Sequence, residues 1–320
     1  MQAKILIIGY GEIAQRHYRN LRLLIPNSKF LILSKSIKKI KNLNFTKNID
    51  IAKKFSPNLT LICSPVTSHL FYAKIFMDLN SNIFIEKPVA NNVNQLQNFI
   101  QKIKKKKITI LDGYNLRFDK SLIFFKNKIL KNIQGKILCV KSEVGQYLPD
   151  WRKKNYSVSV SAKKKLGGGV INELSHDLDL IFMLFKSIKF VSAMNYKVSK
   201  LKINTEDTCH VVLKSKTRNN SFFIFVHMDF YRHDRTRKCT VIGSKATIEW
   251  DGINKTVSIK KNNSKKKYYK FNYNNNLSYI DEMKFFIKSL KEKKQLLNCF
   301  KRNIRLIKIL EKIRKKKCFV

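Results

Sequence analysis

With 320 residues, 44% of them hydrophobic, the chain is long enough for two domains that each bury a core, and general disorder is excluded. No apolar run approaches the roughly 18 residues of a membrane-spanning helix, and the start, MQAKILIIGYGEIAQRH, lacks the basic region and cleavage site of a secretory signal. A formal charge of +45 would suit nucleic acid or an anionic membrane, yet the lysines are dispersed and Gly, Pro and Ala are scarce, so compositional bias at tolerant surface positions accounts for the charge.

Neither nucleic acid nor membrane is therefore expected as a partner. So basic a surface does attract anionic substrates such as phosphorylated or nucleotide-linked sugars. Six widely spaced cysteines (Cys63, Cys139, Cys209, Cys239, Cys299, Cys318), with no C-x-x-C pair, predict reduced thiols in a cytoplasmic protein and no metal site.

In chain order, strand-like runs at Lys4–Ile8, Lys29–Leu33, Leu59–Cys63, Asn82–Ile85 and Ile108–Leu111 alternate with helical patterns at Glu12–Leu24, Ile49–Phe55, Ser68–Leu79 and Asn91–Lys105. This rhythm predicts a doubly wound parallel sheet, an α/β Rossmann domain over residues 1–116. A helix at Asp119–Leu130 and a strand at Lys136–Val144 lead to an irregular stretch and a helix opened by Gly167–Gly169. Strands at Phe190–Val198, Thr208–Lys214, Ser221–Phe230, Lys238–Ile242, Ala246–Glu249 and Thr256–Lys260 follow without intervening helices, which predicts an α+β domain with a mainly antiparallel, open-faced sheet. That domain is expected over 117–297, including a helix at Ser278–Leu290. A last helix within 298–320 is expected to pack back on the nucleotide domain.

The first strand ends in Gly9-Tyr10-Gly11-Glu12-Ile13-Ala14, a G-x-G-x-x-A turn in its required strand–turn–helix setting. Gly9 permits the turn, Gly11 admits a pyrophosphate, and Ala14 lets helix and strand pack closely. The first helical amides, at Glu12 and Ile13, face the phosphates with the positive end of the helix dipole. The second strand ends Leu33-Ser34-Lys35-Ser36, without the carboxylate that binds the ribose hydroxyls of NAD. Ser34, Lys35 and Ser36 suit a 2′-phosphate instead, so NADP is favoured over NAD, although Lys35 alone reads equally as solvated surface.

Taken in order, GYGEIAQRH, Ser64-Pro65 with His69, Glu86-Lys87-Pro88, GYNLRF and a glycine-rich turn into a histidine-bearing helix resemble the Gfo/Idh/MocA oxidoreductases over essentially the whole chain. Tyr147-Leu148-Pro149-Asp150-Trp151-Arg152, then Ser161-Ala162-Lys163 and GGGVINELSHDLD, resemble a subgroup associated with surface-polysaccharide sugars. The resemblance implies an NAD(P)-dependent dehydrogenase or reductase acting on a CH–OH group of a sugar, nucleotide-linked sugar or cyclitol. It also implies a homo-oligomer formed through the open sheet face. Lys87 is implied to reach nicotinamide and substrate, where its ammonium stabilises alkoxide character. Ser64, Pro65 and His69 are implied to border the cofactor, with capping or packing an equal reading for His69. Glu86 is expected to contact cofactor or backbone, and Pro88 to set the start of the next helix.

Helical spacing after Gly169 places Ile171, Leu174, Leu178, Phe182 and Phe185 on one arc, with Asn172, His176 and Asp179 opposite and Glu173 beside them. His176 is the expected acid/base. Many family members carry D-x-x-x-H here, whereas this chain has Asn172 four residues before His176 and Glu173 three before it. Either Glu173 supplies the carboxylate or Asn172 is a neutral orienter. Tyr114, Asn115 and Arg117 stand at the domain hand-over, where Arg117 either steers an anionic substrate or pairs across the junction. Trp151, Arg152, Tyr156 and Asp179 complete the substrate candidates. A catalytically silent dinucleotide-binding protein and a basic nucleic-acid binder are the alternatives.

Overall fold

The computed structural model describes residues 3–35, 43–151, 155–217 and 220–316. The first run of elements is β1 (Lys4–Ile8), α1 (Glu12–Leu24), β2 (Lys29–Leu33), β3 (Phe45–Thr46), α2 (Ile49–Lys54), β4 (Leu59–Ile62), α3 (His69–Asp78), β5 (Asn82–Glu86), α4 (Val93–Ile103) and β6 (Ile110–Gly113). The strands form one sheet in the order β3-β2-β1-β4-β5-β6, and every pair is parallel. Because helices cover both faces of such a sheet, its strands are mostly apolar, and four of five residues in β1 and in β2 are buried. The switch of strand order between β1 and β4 creates the crevice at the carboxyl edge where folds of this type bind ligands.

Two sequence expectations need revision in this region. The two-residue strand β3 is too short for any periodicity to reveal it. Pro88 does not open the next helix, because α4 starts at Val93 and its first turn is capped by the Asn92 side chain, which accepts from Gln95 N–H at 2.9 Å. Pro88 instead lies in the turn after β5.

The second run comprises α5 (Lys120–Leu130), β7 (Ile137–Gly145), α6 (Leu148–Trp151), α7 (Val170–Glu173), α8 (Ser175–Leu184), β8 (Ile188–Tyr196), β9 (Thr208–Thr217), β10 (Asn220–Asp229), β11 (Thr236–Gly243), β12 (Ala246–Asp251), β13 (Thr256–Lys261) and β14 (Lys267–Lys270). Helices α9 (Leu277–Lys291) and α10 (Leu297–Lys315) follow. The sheet order is β14-β13-β12-β11-β7-β10-β9-β8. All neighbours are antiparallel except β7 and β10, which matches the predominantly antiparallel expectation. Alternation sorts the two faces: Val140, Val144, Ile224, Val226 and Met228 are buried, while Lys141, Phe223 and Phe225 are exposed. Trp250 on β12 is buried and donates its indole N–H to Ser121 Oγ on α5 at 2.8 Å. Strand β14 (KYYK) sits among Lys- and Asn-rich segments that read as loop, so it escaped notice.

The chain divides into two compact units. The first takes residues up to Tyr114 together with Tyr279–Ile307, and the second takes Asn115–Ser278 with the residues from Lys308. Chain order alone assigned 279–297 to the second domain. The physical reason for the difference is the apolar stripe of α9. Met283 and Phe286 are fully buried in one core with Ile5, Ile7, Leu61 and Phe84. Residues of α10 up to Ile307 also fall with the first unit, and the rest of that helix falls with the second.

Phe286→Ala is expected to cost about 3–5 kcal/mol of first-unit stability through the cavity it leaves. Phe285→Ala, on the 39%-exposed neighbour, should cost under about 1 kcal/mol. Urea unfolding monitored by far-UV circular dichroism would compare the two.

Candidate functional site

In the first unit the site begins at the turn between β1 and α1. Gly9 has φ +86°, and a Cβ there would stand 2.7 Å from the Cys63 carbonyl oxygen, so only glycine fits. Gly11 behaves differently. It is the exposed N-cap of α1, with extended backbone and no side-chain cap, and a Cβ there meets nothing within 4 Å. The amides of the first turn, at Glu12 and Ile13, thus begin at an open glycine, while Ala14 is fully buried. At the end of β2, Ser34 is buried and donates its backbone N–H to Thr46 at 3.0 Å, and Lys35 is exposed. Ser36 lies outside the described residues.

Around the carboxyl ends of β4 and β5 the chain is stapled by histidines. His69, at the start of α3, places Nε2 2.7 Å from the Ser64 carbonyl and Nδ1 3.0 Å from the Pro88 carbonyl. Burial lowers its pKa from the ordinary value, against the opposing pull of those two carbonyls. A neutral imidazole has one N–H, so it donates to one carbonyl at a time. The packing role is the one this geometry describes. Pro65 opens the turn that leads to His69, and the Ser68 hydroxyl donates to its carbonyl at 2.9 Å.

Glu86 is buried and makes two bonds. One carboxylate oxygen lies 2.6 Å from His17 Nε2, and the other accepts the Lys87 backbone N–H at 3.1 Å. Lys87 is half-buried. His17 was not singled out from the sequence, although Ala14, His17 and Leu21 share the buried stripe of α1. A histidine in an apolar stripe demands a polar partner, and that signal was available.

In the second unit, the helix expected after Gly169 is interrupted. Leu174, at φ −97° and ψ 18°, separates α7 from α8. The polar side is not solvated either, since Asn172, His176, Asp177 and Asp179 are all buried. Two arginines neutralise the acids that flank His176. Arg117 makes a bidentate pair with Asp179, both bonds at 2.8 Å, and Arg237 of β11 stands 3.2 Å from Asp177. Arg117, for which steering substrate and pairing were the two readings, and Asp179, a substrate candidate, thus pair with each other.

Asn172 uses both ends of its amide, donating to the Gly167 carbonyl at 2.9 Å and accepting from Arg314 at 2.8 Å. Glu173 accepts from the Ser161 hydroxyl at 2.9 Å. Asn115 donates to Ser278 Oγ at 2.8 Å, and Tyr114 is fully buried. Trp151 packs edge-on to Phe230, and the Tyr156 hydroxyl accepts the Lys202 N–H at 3.0 Å. Arg152 lies outside the described residues. Among the described residues no group of His, Cys, Asp and Glu is placed to hold a metal ion.

Residues 3–114 match the model of an oxidoreductase family with an NAD-binding Rossmann fold, and residues 125–249 match that of the GFO/IDH/MocA C-terminal domain. The chain belongs to the Gfo/Idh/MocA oxidoreductases. Among curated relatives it is similar to the myo-inositol 2-dehydrogenase of Thermotoga maritima, 23% identical over 307 residues that cover 90% of this chain and 88% of that protein. Among solved structures, levoglucosan dehydrogenase in complex with NADH superposes with a TM-score of 0.82 at 15% identity, covering 98% of this chain and 96% of that one. A UDP-N-acetylglucosamine 3-dehydrogenase from Acidithiobacillus ferrooxidans gives 0.78 at 14%, covering 98% and 97%. These two likenesses are of fold. This Gfo/Idh/MocA protein is thus an oxidoreductase with an NAD-binding Rossmann domain, as its motifs implied.

Asp179→Asn leaves the Arg117 guanidinium, with a side chain 10% exposed, without its counter-charge, and is expected to cost about 3–5 kcal/mol. Replacing both partners, as Arg117→Met with Asp179→Leu, should cost clearly less than that single change. Thermal denaturation of the three proteins is the check.

Proposed function

We propose that this oxidoreductase moves hydride between nicotinamide and a secondary alcohol carbon of a sugar, a nucleotide-linked sugar or a cyclitol, with NADP favoured over NAD. The observation that carries the dinucleotide half of this reading is the exposed Gly11 at the uncapped N-terminus of α1, where even a Cβ would meet no protein atom within 4 Å. A pyrophosphate suits that position, because the amides of Glu12 and Ile13 and the helix dipole are directed to an anion there. Ser64 and Pro65 border it from the turn after β4. Ser34 and exposed Lys35 close β2 without a carboxylate, which supports a 2′-phosphate.

The substrate class is supported by the relatives, whose names include inositol, levoglucosan and UDP-N-acetylglucosamine dehydrogenases. Bound nicotinamide supplies the hydride chemistry. Lys87 then holds the reacting oxygen through its ammonium and favours alkoxide character. His176 takes or returns the hydroxyl proton. Glu173 is the better orienting candidate, since the Asn172 amide is engaged by Gly167 and Arg314. Asn115, Trp151 and Tyr156 are assigned to substrate, whereas Tyr114, fully buried, is assigned to packing. Arg117 and Asp179 act there as a fixed pair.

We place the protein in the cytosol, in keeping with five free cysteines among the described residues. A second copy of the chain is the proposed cover for the open sheet face, where Phe223 and Phe225 are each 46% exposed.

Fluorescence titration with NADPH and NADH, followed by turnover against a panel of sugars and nucleotide-linked sugars, tests the reading. NADPH should bind more tightly, and Gly11→Val should abolish binding of both while leaving the circular dichroism unchanged. A Gly11→Val protein that binds normally would place the cofactor elsewhere, and a preference for NADH would remove only the NADP assignment.

With a substrate that wild type turns over, Lys87→Met and His176→Ala should each keep dinucleotide binding and lose roughly 10²–10⁴-fold in kcat. Glu173→Gln should cost more than Asn172→Ala. Near-normal kcat in His176→Ala would show that the acid/base lies elsewhere.

A further inference from the structure

Helix α1 presents its first turn to the phosphates and, about 9 Å further along at 1.5 Å per residue, carries His17. The ring is fully buried and sits edge-on to Phe84, with centroids 5.0 Å apart, and to Tyr279 at 6.0 Å. Arg16 lies over the far partner, 4.5 Å from the centre of the Tyr279 ring. His17 Nδ1 has no hydrogen-bond partner among the described residues, which favours the tautomer protonated on Nε2, the atom facing Glu86. On β6, glycine at 113 leaves room for this carboxylate, since a Cβ there would stand 3.1 Å from the carboxyl carbon. The carboxylate is thus confined, with one oxygen on His17 and the other on the backbone N–H of Lys87.

We infer that His17 and Glu86 are positioning residues for Lys87: the pair ties the backbone of the Glu86-Lys87-Pro88 segment to the helix whose first turn faces the dinucleotide phosphates. The inference rests on the reading of Lys87 given above. Lys87 is a half-buried side chain at the end of β5, and a displacement of about 1 Å at a reacting group costs on the order of 10²-fold in rate. Attachment to the sheet alone fixes Lys87 relative to β4 and β6. The His17–Glu86 bond adds a reference to α1, so cradle and lysine share one rigid element. A purely space-filling His17 would be replaceable by leucine. A positioning His17 would not, because leucine leaves the buried carboxylate without its donor.

The test compares full-length His17→Leu, His17→Gln, Glu86→Ala and Glu86→Gln with wild type. Hydrogen exchange, followed by mass spectrometry without cofactor, reads the 84–90 segment directly. His17→Leu and Glu86→Ala should speed exchange there by roughly tenfold, with peptides of β1 and β4 unchanged. Both should also lower kcat by roughly 10–100-fold while the NADPH Kd and the sugar KM stay within about threefold. Glutamine at either position should restore most of the loss, since its amide can donate from position 17 and accept at position 86.

Unchanged exchange over 84–90 in Glu86→Ala would overturn the inference. So would an NADPH Kd that worsens in step with kcat, or His17→Gln and Glu86→Gln no better than His17→Leu and Glu86→Ala. If His17→Leu does not fold, the two Glu86 variants decide the matter alone. Full turnover in Lys87→Met would instead bring down the reading of Lys87 itself. An inactive Lys87→Met beside an unaffected Glu86→Ala removes only the positioning role.

Discussion

A carboxylate taken out of water must be paired or fully hydrogen-bonded, and that demand organises this protein more than any other. The chain has 21 acidic residues against 66 lysines and arginines. Among the described residues, nine acids (Glu86, Asp112, Asp119, Asp177, Asp179, Asp207, Asp229, Asp251 and Glu282) are buried, whereas no lysine or arginine is. Lysine enrichment therefore stops at the surface. Acids persist where a fixed donor or cation waits: His17 for Glu86, Arg117 for Asp179, the Arg237 guanidinium as ion-pair partner for Asp177, and the Leu122 amide for Asp119. This distribution supports the reading of the +45 charge as compositional drift at tolerant positions, and it identifies the acids that the fold cannot release.

The same constraint ties down the two stretches with candidate chemistry. In the first unit, His17 and Glu86 link helix to strand end, and His69 links the turns after β4 and β5. In the second, α8 carries acids on either side of His176, and each is met by an arginine from a different element, the 115–118 turn and β11. A helix held through two charge-assisted contacts around one histidine has little freedom to rotate it.

Most of the fold was legible because its signals are local. Parallel strands buried on both faces read as apolar runs, and β1, α1 and β2 have the predicted bounds. The G-x-G-x-x-A turn needs only six residues to declare itself. Signals that depend on distant partners were not legible. Helix α9 follows the second sheet in the chain yet buries Met283 and Phe286 with Ile5 and Leu61, and nothing in its own periodicity names that partner. The pairing of Arg117 with Asp179 spans 62 positions, and no local pattern names that partner. Strand β14 had no pattern to betray it, because KYYK is short and mostly exposed.

The departure from D-x-x-x-H also becomes intelligible once partners are known. Asn172 must donate to the Gly167 carbonyl and accept from Arg314. An amide does both, whereas an ionised carboxylate is acceptor-only and would leave the carbonyl without its donor. The amide at this position links the glycine turn to α10. The nearest carboxylate stands one residue on, at Glu173, the last residue of α7 before the break at Leu174. In a continuous helix that shift would swing the carboxylate by about 100°. Here the ψ of 18° at Leu174 interrupts the helical phase between Glu173 and His176, so wheel geometry no longer governs their relation.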